Sequence, residues 1–181
     1  MPNIMLDLET MGTTADAAII AIGAVVFMSY GLEQRFYMPV SLKSSVENGG
    51  IIDPDTVLWW MKQSDKARAE FSRETNSITH ALNSFSVWID ELYEIYYDDP
   101  KIWGNGASFD NVILASAYRR AGIKQPWSFW NDRCFRTLKN TYPTIEVAER
   151  QGTHHNALDD AIHQAAHALE INIQHKLGEL Q

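Results

Sequence analysis

The chain has 181 residues, of which 45% are hydrophobic and 21% are charged, and its formal net charge is −8. This composition predicts one globular domain over residues 1–181 and excludes a disordered chain, because it supplies enough apolar side chains for a core. The single cysteine, Cys134, excludes an internal disulfide and leads us to expect a cytoplasmic protein. The longest stretch without charge, 17–32, is too short to span a bilayer, so no membrane partner is expected.

Three strands are predicted near the N-terminus. Alternating apolar and polar residues predict a strand at 3–9, and a continuous apolar run predicts a buried strand at 19–27. A third strand, 34–40, follows a turn around Gly31. The short connections favour an antiparallel meander.

Helices dominate the rest of the chain. The polar segment 41–50 is expected to be a loop, and Asp53 followed by Pro54 predicts a helix start. Further segments are predicted as helices at 64–71, 75–97, 109–121, 131–142 and from 156 onwards, with a short strand at 101–104. A meander followed by alternating helices and strands predicts an α/β fold, a mixed sheet flanked by helices.

The first predicted strand carries two acidic residues, Asp7 and Glu9, on one face. Residues two apart on a strand lie about 6.5 Å apart, and neighbouring carboxylates repel each other unless a cation lies between them. The other residues of this strand are mostly apolar. On this feature alone, a metal site and a solvated edge strand are equal alternatives.

Two further carboxylates fall at predicted helix starts. Asp110 follows a glycine-containing turn, where the helix dipole by itself would account for an acidic residue. Asn156 can cap the last helix, and Asp159 then falls at the position of the reciprocal cap. That leaves Asp160 without a structural role. His155 lies just before the same helix, and a histidine close to a metal-binding carboxylate suits the activation of water.

Together these residues resemble the motifs of the DEDDh 3′–5′ exonucleases, a family of the ribonuclease H-like superfamily. The resemblance has three motifs in the family's order: Asp-x-Glu at Asp7 and Glu9, Phe-Asp at Phe109 and Asp110, and His followed five residues later by Asp at His155 and Asp160. A closer resemblance, to bacterial and phage proteins described as exonuclease VIII-like, is carried by residues 7–12, 59–60, 103–106 and 155–161. The resemblance covers nearly the whole chain and implies a mixed five-stranded sheet, a three-strand antiparallel meander plus parallel strands.

The resemblance implies a metal-dependent 3′–5′ exonuclease that hydrolyses phosphodiester bonds and releases 5′-mononucleotides by a two-metal mechanism. The implied partner is single-stranded DNA or RNA with a free 3′ end, with DNA favoured, and a homodimer is an open alternative to a monomer. The implied cofactors are two Mg²⁺ ions, for which Mn²⁺ can substitute. By the same resemblance Asp7 bridges both ions, Glu9 and Asp160 hold one, Asp110 holds the other, and His155 accepts a proton from the attacking water.

Aromatic and polar residues near the acids are predicted to bind the substrate. Thr10 and Met11 follow the acid pair and are expected to contact the terminal nucleotide. Adjacent helical residues point about 100° apart, so one of Trp59 and Trp60 is expected in the core. Trp60 is predicted to be the one that faces the substrate and stacks on a base.

The second motif departs from the family pattern at one position. The family places an asparagine four residues before the motif's aspartate, and here that position is Gly106. We expect Asn105, one residue earlier, to take its place and to bind substrate together with Phe109.

Two other functions fit the same fold. One is a ribonuclease H-type endonuclease, which the five-residue spacing from His155 to Asp160 disfavours. The other is a non-catalytic nucleic-acid-binding module, which is disfavoured because all four acids and the histidine are present. A circular single strand separates the first alternative from an exonuclease, since only an endonuclease cuts it.

Overall fold

A computed structural model describes residues 2–145, 149–175 and 177. The described strands are β1 Asn3–Thr10, β2 Ile19–Met28, β3 Gly31–Pro39, β4 Lys101–Gly104 and β5 Asp132–Cys134. They form one five-stranded sheet in the order β3-β2-β1-β4-β5. The first three strands pair antiparallel, whereas β4 is parallel to both β1 and β5. The predicted mixed sheet, a meander plus parallel strands, is therefore confirmed.

Helices cover both faces of the sheet. The described α-helices are α1 Leu42–Glu47, α2 Pro54–Met61, α3 Asp65–Arg68, α4 Ile78–Tyr96, α5 Asp110–Ala121, α6 Phe135–Thr141 and α7 Ala157–His175. Short 3₁₀ turns occupy Ala69–Ser72 and Phe129–Asn131. None of the described helices combines the length and the apolarity that a membrane crossing requires.

Two predicted elements were wrong. The expected loop at 41–50 contains α1, because the Ser41 side chain accepts the Ser44 N–H and caps a helix there. The helix predicted over 131–142 begins only at Phe135, and β5 precedes it. The Asp132 side chain accepts hydrogen bonds from Trp127 and Asn111, and its backbone is extended and pairs with β4.

The alternation along β1 separates the core from the acids. Ile4, Leu6 and Leu8 are buried on the face covered by α4 and α5. Met5 packs on the opposite face, in a cluster with residues of α6 and α7. Asp7 and Glu9 share the parity of Met5, so their side chains lie on the α7 face.

A glycine lets α7 approach this face closely. Gly23 of β2 lies opposite Asp7 in the antiparallel register. A Cβ atom at Gly23 would lie 2.2 Å from the backbone carbon of Ala157, the first residue of α7. Only a glycine fits there, and the first turns of α7 are thereby brought beside Asp7.

Candidate active site

The predicted catalytic residues meet where β1 ends and α7 begins. A cavity of about 760 Å³ lies there, and its lining includes Asp7, Glu9, His155 and Asp160. The pairing of β1 with β2 shifts register between Glu9 and Thr10. Such an irregularity re-aims side chains at a strand end, here beside the cavity.

Asp7 is anchored by the helix that covers it. Its Oδ1 accepts a hydrogen bond from Nε2 of Gln164 at 2.7 Å. Gln164 follows Asp160 by four residues, so both project from one face of α7. Burial raises the pKa of Asp7, and the charges of Asp110, Glu9 and Asp160 raise it further.

Asp110 is buried at the start of α5 and is 2% exposed. The parallel pairing of β1 with β4 ends at Leu6 and Gly104. Two residues further along β1, the Leu8 N–H donates to Asp110 Oδ1 at 3.2 Å. Gly104 makes the contact possible, since a Cβ there would lie 3.0 Å from the Asp110 Cβ. Burial raises the pKa of Asp110 to about 7. Asp110 belongs to the same electrostatic cluster but not to the cavity lining.

Glu9, His155 and Asp160 form the tightest group. One potential ligand atom from each lies within 4.8 Å of the others. Glu9 is 6% exposed, and its Oε1 has no hydrogen-bond partner among the described residues. Burial raises the pKa of Glu9 to about 9, with contributions from Asp160 and Glu70. A buried carboxylate without a donor, beside a second carboxylate, is stabilised by a cation.

His155 is held in an unusual backbone conformation. Its φ is +61°, in the left-handed region that non-glycine residues seldom adopt. Its N–H donates to Asp160 Oδ2 at 3.2 Å, and its ring meets the Trp59 ring edge to face at 4.8 Å. Burial lowers the pKa of His155, so the imidazole is neutral near pH 7 and can accept a proton.

The residue that caps α7, Asn156, also contacts a buried acid. Asn156 Oδ1 accepts the Asp159 N–H at 3.0 Å, and Asn156 Nδ2 donates to Glu70 Oε1 at 2.8 Å. Asn156 therefore caps the helix as predicted. Asp159 does not return the cap to Asn156, because its carboxylate accepts the Thr153 N–H at 2.7 Å instead.

The two tryptophans exchange their predicted places. Trp60 is 3% exposed, and its Nε1–H donates to the Thr10 carbonyl at 2.9 Å. Trp59 is 42% exposed and lines the cavity beside His155. The prediction that Trp60 faces the substrate was therefore wrong, since it packs against Met11, Ala18 and Ala67 in a small core cluster.

The other predicted substrate residues divide in the same way. Thr10, Asn105 and Phe109 line the cavity. Met11 does not, because its side chain is 5% exposed within the cluster around Trp60. Asn105 reaches the cavity despite its shifted position, and its buried Oδ1 has no partner among the described residues.

Sequence reasoning missed three residues that contact the site: Gln164, Glu70 and Arg150. Gln164 was detectable, because it follows Asp160 at helical spacing and faces the same way. Glu70 comes from a segment far away in sequence, and Arg150 comes from the irregular segment before α7. No local pattern marks either of them.

Comparisons with known proteins agree with this geometry. The model of the 3'-5' exoribonuclease Rv2179c-like domain matches residues 2–172. An exodeoxyribonuclease of Enterobacteria phage T4 is 27% identical over an alignment of 165 residues, which covers 76% of this chain and 70% of the phage protein.

Solved structures share the fold. The nuclease domain of 3'hExo, a DEDDh family member bound to rAMP, superposes with a TM-score of 0.67 at 13% identity, covering 99% of this chain and 96% of that one. E. coli exonuclease I in complex with a dA16 oligonucleotide gives 0.60 at 17% identity, covering 95% of this chain and 41% of that one. The ribonuclease H-like architecture predicted from the sequence is confirmed.

Proposed function

Because the chain belongs to the 3'-5' exoribonuclease Rv2179c-like family and is a 3′–5′ exonuclease of the DEDDh class, we propose that it removes single nucleotides from free 3′ ends of unpaired strands. The class depends on divalent metal ions, and we propose two Mg²⁺ ions here, with Mn²⁺ as a substitute. The observation that supports this proposal is the cluster of Asp7, Glu9, Asp110 and Asp160. Glu9 and Asp110 are buried, and the pKa values of Asp7, Glu9 and Asp110 are raised.

The four carboxylates fit hard cations. All donors are oxygens, as Mg²⁺ prefers, and the unpartnered Oε1 of Glu9 offers a free ligand atom. Glu9 and Asp160 would hold one ion, Asp110 would hold the other, and Asp7 would contribute a further oxygen ligand. When bound, divalent ions there stabilise negative charge on the attacking and leaving oxygens of the phosphodiester.

His155 is assigned as the general base. The lowered pKa of its imidazole leaves a ring nitrogen free to accept a proton from water near pH 7. Its backbone N–H to Asp160 and its edge-to-face contact with Trp59 fix the ring at the cavity. His154, the adjacent histidine, is exposed and does not line the cavity.

The cavity suits a strand end rather than a duplex. Its volume of about 760 Å³ lies in the usual range of small-ligand sites. At a net charge of −8 the chain cannot bind a long duplex by neutralising many phosphates. Trp59 offers an exposed ring on which a terminal base can stack. Thr10, Asn105 and Phe109 complete the proposed wall around that nucleotide.

A degradation assay with matched substrates tests the proposal. Single-stranded DNA and RNA of one sequence, labelled at either the 5′ or the 3′ end, are incubated with Mg²⁺, Mn²⁺ or EDTA. Both sugars are needed, since the family description names RNA and the phage relative's name indicates DNA. The expected result is metal-dependent, stepwise release of 5′-mononucleotides from the 3′ end.

Variants and a circular substrate define the contrary outcomes. Asp110→Asn should nearly abolish release. Asp159→Asn should retain most of it, because the Asp159 carboxylate accepts the Thr153 N–H and Asp159 is not among the acids whose charges raise the pKa of Asp7. Cutting of a circular single strand would show a ribonuclease H-type endonuclease. If the protein binds the single-stranded DNA and the single-stranded RNA but hydrolyses neither with Mg²⁺ or with Mn²⁺, it is a non-catalytic binding module.

A further inference from the structure

Arg150 contacts the site without a part in the mechanism described so far. It precedes α7 and lines the cavity. Its guanidinium pairs with Oδ1 of Asp160, and both side chains are mostly buried, with 18% and 13% of their surface exposed. The other oxygen of Asp160 accepts the His155 N–H. The chain itself therefore engages both oxygens of this carboxylate.

A second cavity cation provides a comparison. Lys139 of α6 also lines the cavity, but its ammonium lies over the Phe135 ring at 5.8 Å. Among the described lining residues, Arg150 is the cation that pairs with a proposed metal ligand. The ion pair with Asp160 therefore distinguishes Arg150 from Lys139, the other basic residue described here.

The pair has a physical consequence for metal binding. A guanidinium and a divalent cation that share one carboxylate oxygen repel each other strongly at contact distance. Binding of a cation to Asp160 Oδ1 must therefore displace Arg150. A mostly buried guanidinium without an anion is costly, so the displaced group requires a new one. In an exonuclease, the anion that enters the cavity is a nucleotide phosphate, whose oxygens match the guanidinium fork.

We propose that Arg150 is a phosphate-binding residue that pairs with Asp160 until a divalent cation displaces it, after which it binds a phosphate oxygen of the terminal nucleotide. This inference rests on the proposed function of the site. It requires two opposite effects of one side chain, since Arg150 opposes the metal and favours the nucleotide. The binding of the metal ion and the binding of the nucleotide are thereby coupled through the Arg150 side chain.

Two calorimetric titrations test the inference. In the first, Mn²⁺ alone is added to the wild type, Arg150→Gln and Lys139→Gln. Arg150→Gln should bind Mn²⁺ about fivefold more tightly or better, and Lys139→Gln should change much less. In the second, thymidine 5′-monophosphate is added at saturating Mg²⁺, and Arg150→Gln should bind it about tenfold more weakly. Arg150→Lys keeps the positive charge but loses the forked guanidinium. Its affinity for the nucleotide should therefore fall between that of the wild type and that of Arg150→Gln.

The contrary outcomes are distinct. A Mn²⁺ affinity of Arg150→Gln that is unchanged, weaker, or raised no more than in Lys139→Gln overturns the inference, as does an unchanged nucleotide affinity. If Arg150→Gln does not fold, Arg150→Lys decides, and wild-type nucleotide affinity in that variant overturns the inference. Asp160→Asn separates the two proposals. If it fails to weaken Mn²⁺ binding, the proposed function itself is wrong, whereas weakened binding leaves that function standing whatever Arg150 does.

Discussion

Replacing Glu9 by glutamine should raise the thermal stability of the metal-free protein while it removes exonuclease activity. Glu9 is 6% exposed, and burial together with the charges of Asp160 and Glu70 raises its pKa from 4.5 to about 9. At pH 7 the folded chain therefore keeps this carboxyl protonated, whereas the unfolded chain ionises it. The unfolded state is favoured by that difference.

The stability that the folded protein loses through this carboxyl at a given pH follows from the two pKa values. It is absent below pH 4.5, grows as the pH rises, and is complete only above pH 9. Each pH unit in this window costs about 1.4 kcal/mol, so the cost reaches about 3 kcal/mol at pH 7. Glutamine keeps the shape of the side chain and cannot ionise. For a chain of this length, removal of the whole cost corresponds to a rise in Tm of roughly 6–12 °C.

The assay is thermal unfolding in EDTA at pH 5 and pH 7. The Tm of Glu9→Gln should exceed that of the wild type at pH 7, and the difference should shrink at pH 5. Glu47→Gln is the matched control, since Glu47 is exposed and only 3.8 Å from Lys43 in a surface ion pair, where little change in stability is expected. Mg²⁺ should then raise the Tm of the wild type more than that of the variant.

Two results would refute this reasoning. A Tm in EDTA that is equal or lower in Glu9→Gln at pH 7 would mean that the carboxyl does not oppose folding. A gain of the same size at pH 5 and pH 7 would mean that it has a cause other than ionisation.

Three further predictions concern the base, the tryptophans and the helix approach. His155→Ala should lower single-turnover rates by roughly 10²–10⁴-fold with Mn²⁺ affinity largely retained, whereas His154→Ala should do far less. Trp59→Ala should weaken oligonucleotide binding, measured by fluorescence anisotropy, by about 1–3 kcal/mol with little change in Tm. Trp60→Ala should instead lower the free energy of unfolding, measured with denaturant, by about 3–5 kcal/mol. Gly23→Ala should destabilise the fold by about 1–3 kcal/mol in the same measurement, since its Cβ would overlap the start of α7.

Each of these has a clear contrary result. Equal losses from the two histidine variants would indicate a structural role for the pair. Unchanged oligonucleotide affinity in Trp59→Ala would remove that ring from the substrate site. Wild-type stability of Gly23→Ala would show that α7 can move away from β2 without cost.

The sequence by itself determined the meander, the long helices and the acids that the structure brings together. Strand alternation put Asp7 and Glu9 on the face opposite Leu6 and Leu8, and the structure agrees. Cap residues such as Asp53 also marked helix starts correctly. These features were predictable because they depend on period and on chemistry within a few residues.

The tertiary structure decided which residues around the acids are open to the cavity. Trp59 and Trp60 differ by about 100° around one helix, and only the packing of Trp60 against Met11 and Ala67 shows which of them is covered. Helix periodicity leaves that choice open, because burial depends on a partner surface from another segment.

Contacts between distant segments also determined features that no local sequence pattern predicts, namely a short strand and two residues near the site. The strand β5 is three residues long, too short for a period, and is held by its pairing with β4 and by hydrogen bonds to the Asp132 side chain. Glu70 and Arg150 reach the site from segments whose own sequences carry no motif. Charge interactions depend on distance in space and not along the chain. The raised pKa of Glu9 and the pairing of Asp160 with Arg150 therefore follow from the fold, which brings these segments together.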